Sequence, residues 1–439
     1  MSPLESASPE EISAYQDAAL RQLLAYLQAH SLFYQRLFAA QGIDVASVRG
    51  AADLPRLPTT SKQDLQQHNW DFLCVPRSQV AEYCCTSGTL GRPVTIALTA
   101  GDIRRLHRNE LLSFHCADGT ADDLYQLLLT LDRQFMAGLA YHGGILATGA
   151  GVIRMGPGNL PAQLDAIREL QPTVLVAVPS FVVALLDYAR AAGYDLNGSS
   201  VRRIVCIGES IRDADLHPNA LARRILAAWP GVRLHSTYAS TEQQTAFTEC
   251  GHGVGGHHQP ELLIFEVLDE RGQPLPAGQV GELTITTLGV EGMPLLRYRT
   301  GDMCAYYNAP CACGRTTRRL GPILGRRQHL LKLKGTTLYP QAVSNVLNEV
   351  PDVAAYVVEA TTNDLGTDEL TISVALRAGA DEAAVLAAVR QALRARLRVL
   401  PLVQARPLPE VLARQNPDQK RKPASFIDCR PGPPRLPTG

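Results

Sequence analysis

The sequence lacks a charge excess of either sign, since 42 Lys and Arg balance 42 Asp and Glu for a formal net charge of zero. A balanced chain offers no global field to nucleic acid or to an anionic membrane, so the expected partner is a small molecule. No apolar run is long enough for a membrane span, and the opening Met1-Ser2-Pro3-Leu4-Glu5-Ser6 lacks the basic and then apolar regions of a secretory leader. The expectation is a cytoplasmic protein with no membrane and no nucleic-acid partner. There is no internal repeat and no low-complexity tract. A disulfide framework is missing too: ten cysteines are spread over 439 residues with no leader. Cys74, Cys84, Cys85, Cys116, Cys206, Cys304 and Cys429 read as small packing residues in a reducing compartment.

What is present is an ordinary globular composition, 46% hydrophobic and 19% charged, over a length too great for one simple core. Residues 10–41 carry leucines, alanines and aromatics at helical spacing, as one helix or two, and Thr59, Thr60 or Ser61 can cap a helix over 62–68. From 103 to 197 helical and strand patterns alternate: helices over 103–116, 137–149, 160–170 and 180–193, strands near 124–131, 151–154 and 173–178. Such alternation predicts a parallel sheet covered on both faces. Strands over 201–207 and 233–238 lead into Gly208-Glu209-Ser210 and Ala239-Ser240-Thr241-Glu242, polar loops at the carboxyl ends of strands, where open α/β sheets bind ligands. After Glu249 the pattern turns to strands (261–269, 281–287, 303–307), a small β unit. The last hundred residues read as a separate α+β piece, with helices over 340–350 and 381–397 and strands over 354–360, 369–376 and 403–407.

The organising stretch is Thr86-Ser87-Gly88-Thr89-Leu90-Gly91-Arg92-Pro93, between the β-prone runs 80–85 and 94–98. It is predicted as a hairpin tip whose hydroxyls, glycine-flanked N–H groups and Arg92 can wrap nucleotide phosphates, because each phosphate oxygen takes a donor. Further along, Tyr238-Ala239-Ser240-Thr241-Glu242 offers donors and a carboxylate suited to Mg²⁺. Arg297-Tyr298-Arg299-Thr300-Gly301-Asp302 brings an acid able to accept both ribose hydroxyls, and Gly325-Arg326 precedes the basic run Leu331-Lys332-Leu333-Lys334-Gly335.

These stretches, in this order, make the chain resemble the adenylate-forming ligases, in their phenylacetate–CoA ligase branch, over nearly its whole length. Arg297 to Asp302 and the Cys311-Ala312-Cys313-Gly314-Arg315 run beyond them are the most specific pieces. The resemblance implies an α/β fold with a large multi-subdomain amino-terminal domain, residues 1–326, built of parallel sheets with helices plus a small β unit. It implies a small mobile α+β carboxy-terminal domain at 327–439. The implied reaction has two steps: a carboxylate attacks the α-phosphate of ATP to give an acyl-AMP and pyrophosphate, and the thiolate of coenzyme A then displaces AMP. On the same ground Thr86, Ser87, Gly88, Thr89, Gly91 and Arg92 would hold phosphates. Glu209, Tyr238, Ala239, Ser240 and Thr241 would surround the nucleotide, Asp302 would hold the ribose, and Glu242 would carry Mg²⁺. Arg326 would sit at the domain junction, and Lys422, within the cluster Lys420-Arg421-Lys422, would be the catalytic lysine.

Arg92 stands where the family usually has lysine, Ala239 where it has glycine, and Arg327-Gln328-His329 where it commonly has acids at the hinge. The resemblance places the acid pocket along Leu131 to Leu139, including Phe135, Ala137 and Gly138, with Phe181 opposite, which suits an aromatic acid. The acceptor alternatives are a carrier-protein thiol or an amine, and a non-catalytic nucleotide-binding homologue is the reading from another class. A homodimer is part of the expectation. Finally, Cys311 and Cys313 lie in a tight turn that can present both thiolates, and Cys250 precedes His257 in a glycine-rich loop. Together they predict a closed structural Zn²⁺ set, with His258 or His252 as substitutes for His257.

Overall fold

The computed structural model describes residues 2–86, 93–333, 336–363, 367–417 and 424–430. They fall into two compact units, Met1–Ile323 and Leu324–Gly439.

The larger unit opens on two helices, α1 (Pro9–His30) and α2 (Leu32–Gln41). Ser31 explains the break in an otherwise continuous apolar periodicity: its backbone is extended, and its hydroxyl accepts from Tyr34 N at the start of the second helix. Ser61 caps α3 (Lys62–His68) in a reciprocal pairing with Asp64. Strands β1 (Val80–Cys85) and β2 (Thr95–Thr99) then form an antiparallel hairpin, with Cys84 opposite Ile96 and Cys85 opposite Thr95.

The alternating region comes next as α4 (Ala100–Cys116), β3 (Leu124–Leu127), α5 (Met136–Thr148), β4 (Gly151–Arg154), α6 (Leu160–Leu170), β5 (Val174–Ala177), α7 (Pro179–Ala191), β6 (Arg203–Cys206), α8 (Ala220–Ala228) and β7 (Arg233–Ser240). Side by side the strands run β4, β3, β5, β6, β7, all parallel. Val174 and Val176 pack with Phe114 and Tyr141 on one face, Leu175 and Ala177 with Leu164, Val182 and Ile225 on the other. This is the burial of both faces that the apolar runs require.

The sheet continues antiparallel through β8 (Thr245–Glu249) and β9 (Gly256–His257). Strands β10 (Leu263–Leu268), β11 (Gly281–Thr287) and β12 (Tyr298–Cys304) pair antiparallel in their own sheet. Strands β13 (Tyr306–Tyr307) and β14 (Arg319–Leu320) rejoin the first sheet at β9. Two features differ from the sequence expectation. Strand β8 begins at Thr245, ahead of the expected change after Glu249; all five of its residues are buried, so it shows no alternation. The segment from Tyr298 to Asp302 lies inside a strand and not ahead of one.

The smaller unit pairs Leu331–Leu333 with Thr336–Leu338, then carries helix Pro340–Leu347. Its sheet has Val353–Thr362 and Asp368–Leu376 antiparallel at the centre, with Phe426–Asp428 and Leu402–Ala405 parallel to them at the edges. Helix Glu382–Leu397 packs on one face, and helix Leu408–Gln415, through Val411, on the other. Among the described residues no helix is long and apolar enough to cross a membrane.

Candidate active site

Three adjacent parallel strands end together, and each runs out into polar residues or a helix start. After β5, Pro179 opens α7; after β6 comes Gly208-Glu209; β7 ends in Tyr238-Ala239-Ser240. Glu209 joins the first two ends, accepting from Ser180 N and from Ser180 Oγ, each at 2.9 Å. A carboxylate at a helix N-terminus is favoured there by the free N–H groups and the helix dipole. Ala239 and Ser240 are not a free loop: they pair with Ala246 and Thr245 of β8, and the turn is displaced to Thr241–Gln244. Ser240 Oγ accepts from Gln243 N at 3.3 Å, and Gln244 takes the left-handed conformation, φ 51°, that closes the turn.

Strand β12 meets β7 at this end. Tyr238 Oη donates to Asp302 Oδ2 at 2.6 Å, and Tyr298 Oη approaches Glu242 Oε1 at 3.5 Å. The arginines of the same motif are spent on structure. Arg297 makes paired bonds of 2.9 and 3.0 Å to Glu266, and Arg299 pairs with Glu282 at 2.5 Å. They lock β12 to β10 and β11 and leave Tyr298 and Asp302 to face the strand ends.

Lys62 joins the site, although in the sequence it reads only as the end of the proline-containing connector 54–62 and the start of the helix over 62–68. Its ammonium lies 3.8 Å from Glu242 Oε1. The connector is a strand partner: Thr60 N donates to Arg297 O at 3.1 Å and Arg299 N to Thr60 O at 2.8 Å, which bracket Tyr298. A single Thr in a Pro-rich run carries no periodic signal of such pairing, so only the fold reveals it. Among the described residues Glu242 Oε2 has no partner, which leaves that oxygen for a cation.

At the hairpin, Thr86 N donates to Val94 O and Val94 N to Thr86 Oγ1, both at 3.0 Å, which closes the strands beneath the loop. Ser87, Gly88, Thr89, Gly91 and Arg92 lie outside the described residues, as does Lys422. Cys85 N donates to Gln134 O at 2.9 Å, so the turn before α5 abuts this hairpin. In that turn Arg133 and Gln134 are exposed, both at φ 56°. Phe135 and Ala137 pack against the Phe114 and Tyr141 side of the sheet, whereas Phe181 packs with Val182 and the other residues of the opposite side. Gly138 is fixed by backbone proximity, since a Cβ there would meet Thr130 O at 2.4 Å and Leu131 Cα at 2.7 Å. Arg326 lies on the short strand Gly325–Arg326 of the smaller unit.

The cysteine and histidine group forms a second centre in the larger unit. One ligand atom each from Cys250, His257, Cys311 and Cys313 lie within 4.8 Å of one another. Cys250 Sγ is 3.6 Å from Cys311 Sγ, and Cys313 Sγ 3.4 Å from His257 Nε2. Both lengths fit edges of a tetrahedron drawn around zinc at roughly 2.3 Å to sulfur and 2.0 Å to nitrogen. The turn is set by Cys311 N donating to Arg315 O and Gly314 N to Cys311 O. His257 Nδ1 faces Thr317 Oγ1 at 3.3 Å, which turns Nε2 toward the thiols. Burial first, then Arg315 and Arg319, push the His257 imidazole down to about 3, so it is neutral, as a ligand must be. His258 points elsewhere, its Nε2 donating to Leu263 O at 2.5 Å, and His252 is not in the group.

The signature of the AMP-binding enzyme family matches residues 12–292. A phenylacetate-coenzyme A ligase of Thermus thermophilus is 33% identical over 358 residues, covering 80% of this chain and 79% of that one. One of Aromatoleum evansii is 29% identical, covering 85% and 84%. A crystal structure of 2-hydroxyisobutyryl-CoA ligase with an acyl-adenylate shares the fold at a TM-score of 0.85 over 97% of this chain and 91% of that one, at 22% identity. With its polar strand ends, its Tyr238–Asp302 contact and this signature over more than half its length, the chain belongs to the family of AMP-binding, adenylate-forming enzymes.

Proposed function

We propose that this protein is an AMP-forming acid–thiol ligase that converts an aromatic, phenylacetate-like carboxylic acid to its coenzyme A thioester. The observation that carries the reading is the convergence of Tyr238–Asp302 and Lys62–Glu242 at the carboxyl end of the parallel strands. An acceptor carboxylate, an ammonium and a second carboxylate at that end suit the ribose and phosphates of a nucleotide. The kinship to phenylacetate-coenzyme A ligases supports the choice of acid and of acceptor.

In the first half-reaction a substrate carboxylate oxygen forms a bond to the α-phosphorus of ATP, and the bond to the pyrophosphate oxygen breaks. Asp302 accepts from the ribose hydroxyls, with Tyr238 fixing its orientation. Lys62 supplies positive charge beside the phosphates as negative charge moves onto the leaving group. Glu242, through its unpartnered Oε2, suits Mg²⁺, which supplies Lewis-acid charge stabilisation when bound. Thr86, Ser87, Gly88, Thr89, Gly91 and Arg92 donate to the β- and γ-phosphates, and Lys422 serves this step alone. In the second half-reaction the coenzyme A thiolate attacks the acyl carbonyl carbon and AMP departs, its phosphate keeping the electron pair. Phe135 and Ala137 border the acyl group. Arg326 is the remaining residue assigned to this reaction.

Cys250, His257, Cys311 and Cys313 hold a structural zinc ion, which pins β9 and the 311–315 turn to the end of β8. The distances and the neutral His257 support it.

The test is pyrophosphate release over a panel of aryl and alkyl carboxylic acids, followed by addition of coenzyme A to the best of them. Release with arylacetic acids and then an equimolar thioester is expected. Release with no acid of the panel would refute the reading, and transfer only to a carrier protein or an amine would replace the acceptor.

A further inference from the structure

Beside the phosphate hairpin lies an exposed aromatic surface that neither half-reaction has used. Trp70 and Tyr83 are 42% and 36% exposed, meet edge to face at 6.2 Å between ring centroids, and are joined by Arg77, whose guanidinium carbon lies 4.4 Å from the Trp70 ring centroid. Large aromatics are usually buried, and these are held open by their surroundings. Asn69 Nδ2 donates to Thr95 O at 2.8 Å and its Oδ1 accepts from Thr95 N at 3.1 Å, which fastens the Trp70 turn to β2. At the other end of the turn Phe72 is fully buried, stacked on Phe33 at 4.0 Å. The strand alternation sends Tyr83 outward, while Cys84 goes into the core. The platform is thus built before any ligand arrives.

Its charge is positive and available. Among the described residues no hydrogen bond or ion pair uses the Arg77 guanidinium or the Tyr83 hydroxyl. The acid beside Trp70 is already paired, Asp71 lying 2.8 Å from Arg36 and 3.7 Å from His68. The Arg77 guanidinium lies over the indole face, so the exposed part of the Trp70 ring and the Tyr83 ring are left to stack a planar base while the guanidinium fork takes a phosphate. Tyr83 stands three residues before Thr86 on β1, which places it roughly 10 Å along an extended strand from the start of the phosphate loop.

We infer that Trp70, Arg77 and Tyr83 form the docking platform for the phosphorylated adenosine head of coenzyme A, with the base on the aromatic rings and the 3′-phosphate on Arg77. This rests on the acceptor proposed above. ATP carries the same base but no 3′-phosphate, and its adenosine is assigned to Tyr238 and Asp302, so the two nucleotides separate in the test.

Thioester formation is measured with coenzyme A and with dephospho-coenzyme A for wild type, Trp70→Ala, Trp70→Phe and Arg77→Ala, alongside the KM for ATP in pyrophosphate release. Trp70→Ala is expected to raise the KM for both thiols by about tenfold or more, and Trp70→Phe to restore most of the loss. Arg77→Ala should raise the KM for coenzyme A by a similar factor and leave that for dephospho-coenzyme A in place. Unchanged pyrophosphate release in each variant shows that it is folded. If the wild type makes thioester and both alanine variants keep the KM for coenzyme A within roughly twofold, below what one stacked base contributes, the platform is wrong. A matching rise in the KM for ATP would assign it to ATP instead. A wild type that releases pyrophosphate but forms no thioester sinks the acceptor reading, and this site with it.

Discussion

Tyr238 on β7 donates its phenolic hydrogen to the Asp302 carboxylate on β12 across 2.6 Å, joining the sheet of the parallel strands to the sheet of β10, β11 and β12 at the end where the parallel strands stop. The bond spans 64 positions of sequence and holds the acid that is assigned to the ribose. Its removal should therefore be felt in nucleotide binding before it is felt in chemistry. A hydrogen bond to a charged acceptor contributes about 1.5–3 kcal/mol. Tyr238→Phe is expected to raise the KM for ATP by about tenfold and to leave the KM for the acid near its original value. Initial rates of pyrophosphate release at varied ATP and varied acid check this, and an equal rise in both constants would contradict it.

Glu242 shares one oxygen with Lys62 and Tyr298 and leaves the other open. Glu242→Gln keeps the shape but removes the charge that suits Mg²⁺. Adenylation should fall by about a hundredfold, with half-saturation moving to higher Mg²⁺. Lys62→Met should lower adenylation without that shift in Mg²⁺ dependence, because the ammonium acts on the phosphates. Magnesium titrations of pyrophosphate release distinguish the two patterns.

The thiol cluster predicts close to one zinc per chain in protein purified without added metal. Cys311→Ser should lose metal and lower Tm, because a structural metal ion contributes folding free energy. Cys429→Ser, at an exposed thiol outside the cluster, is the control and should keep both. Full activity and an unchanged Tm after complete removal of metal would dismiss the site.

Burial pushes the Glu110 carboxyl up to about 8, opposed by the Asn109 amide that donates to it at 2.9 Å. An unfolded glutamate titrates near roughly 4.3. Between these values the folded chain keeps a proton that the unfolded chain has lost. Stability is therefore full below the lower value, falls as pH rises through the window, and levels off above the higher one. The slope from this group reaches about 1.4 kcal/mol per pH unit. Glu110→Gln should flatten it, so the urea midpoint of the variant should gain on wild type between pH 5 and pH 8. A gap that stays constant across that range would show that Glu110 titrates normally.

Lys422 lies outside the described residues, and its role comes from resemblance alone. If it serves only the first transition state, Lys422→Ala should slow pyrophosphate release by on the order of a hundred- to a thousandfold and spare thiol transfer from supplied acyl-AMP. Lys420→Ala should do little to either step. Damage to both steps from Lys422→Ala would reassign the basic cluster.

The α/β class, the order of helices and strands from 103 to 240, and the family were all legible in the amino-acid order, because these rest on local periodicity and on short motifs whose residues are neighbours in the chain. Wherever a residue acts through a partner far along the chain, the local signal fell silent. Ser31 turns one periodic stretch into two helices through a single hydroxyl. Strand β8 is buried on both faces and shows no alternation, so the turn beside Ser240 moved two residues along. Lys62 became a site residue only because Thr60 pairs with the Tyr298 strand. Phe135 and Phe181, both suited by type to a pocket, pack with the clusters on different faces of a sheet, and no linear pattern distinguishes those faces. Conversely, Cys250, His257, Cys311 and Cys313 could be named as a set from ligand type, yet only β-pairing at β9 and β14 brought 61 positions of separation down to 3.6 Å. Chemical type is written in each residue, but distance is a property of the packed chain.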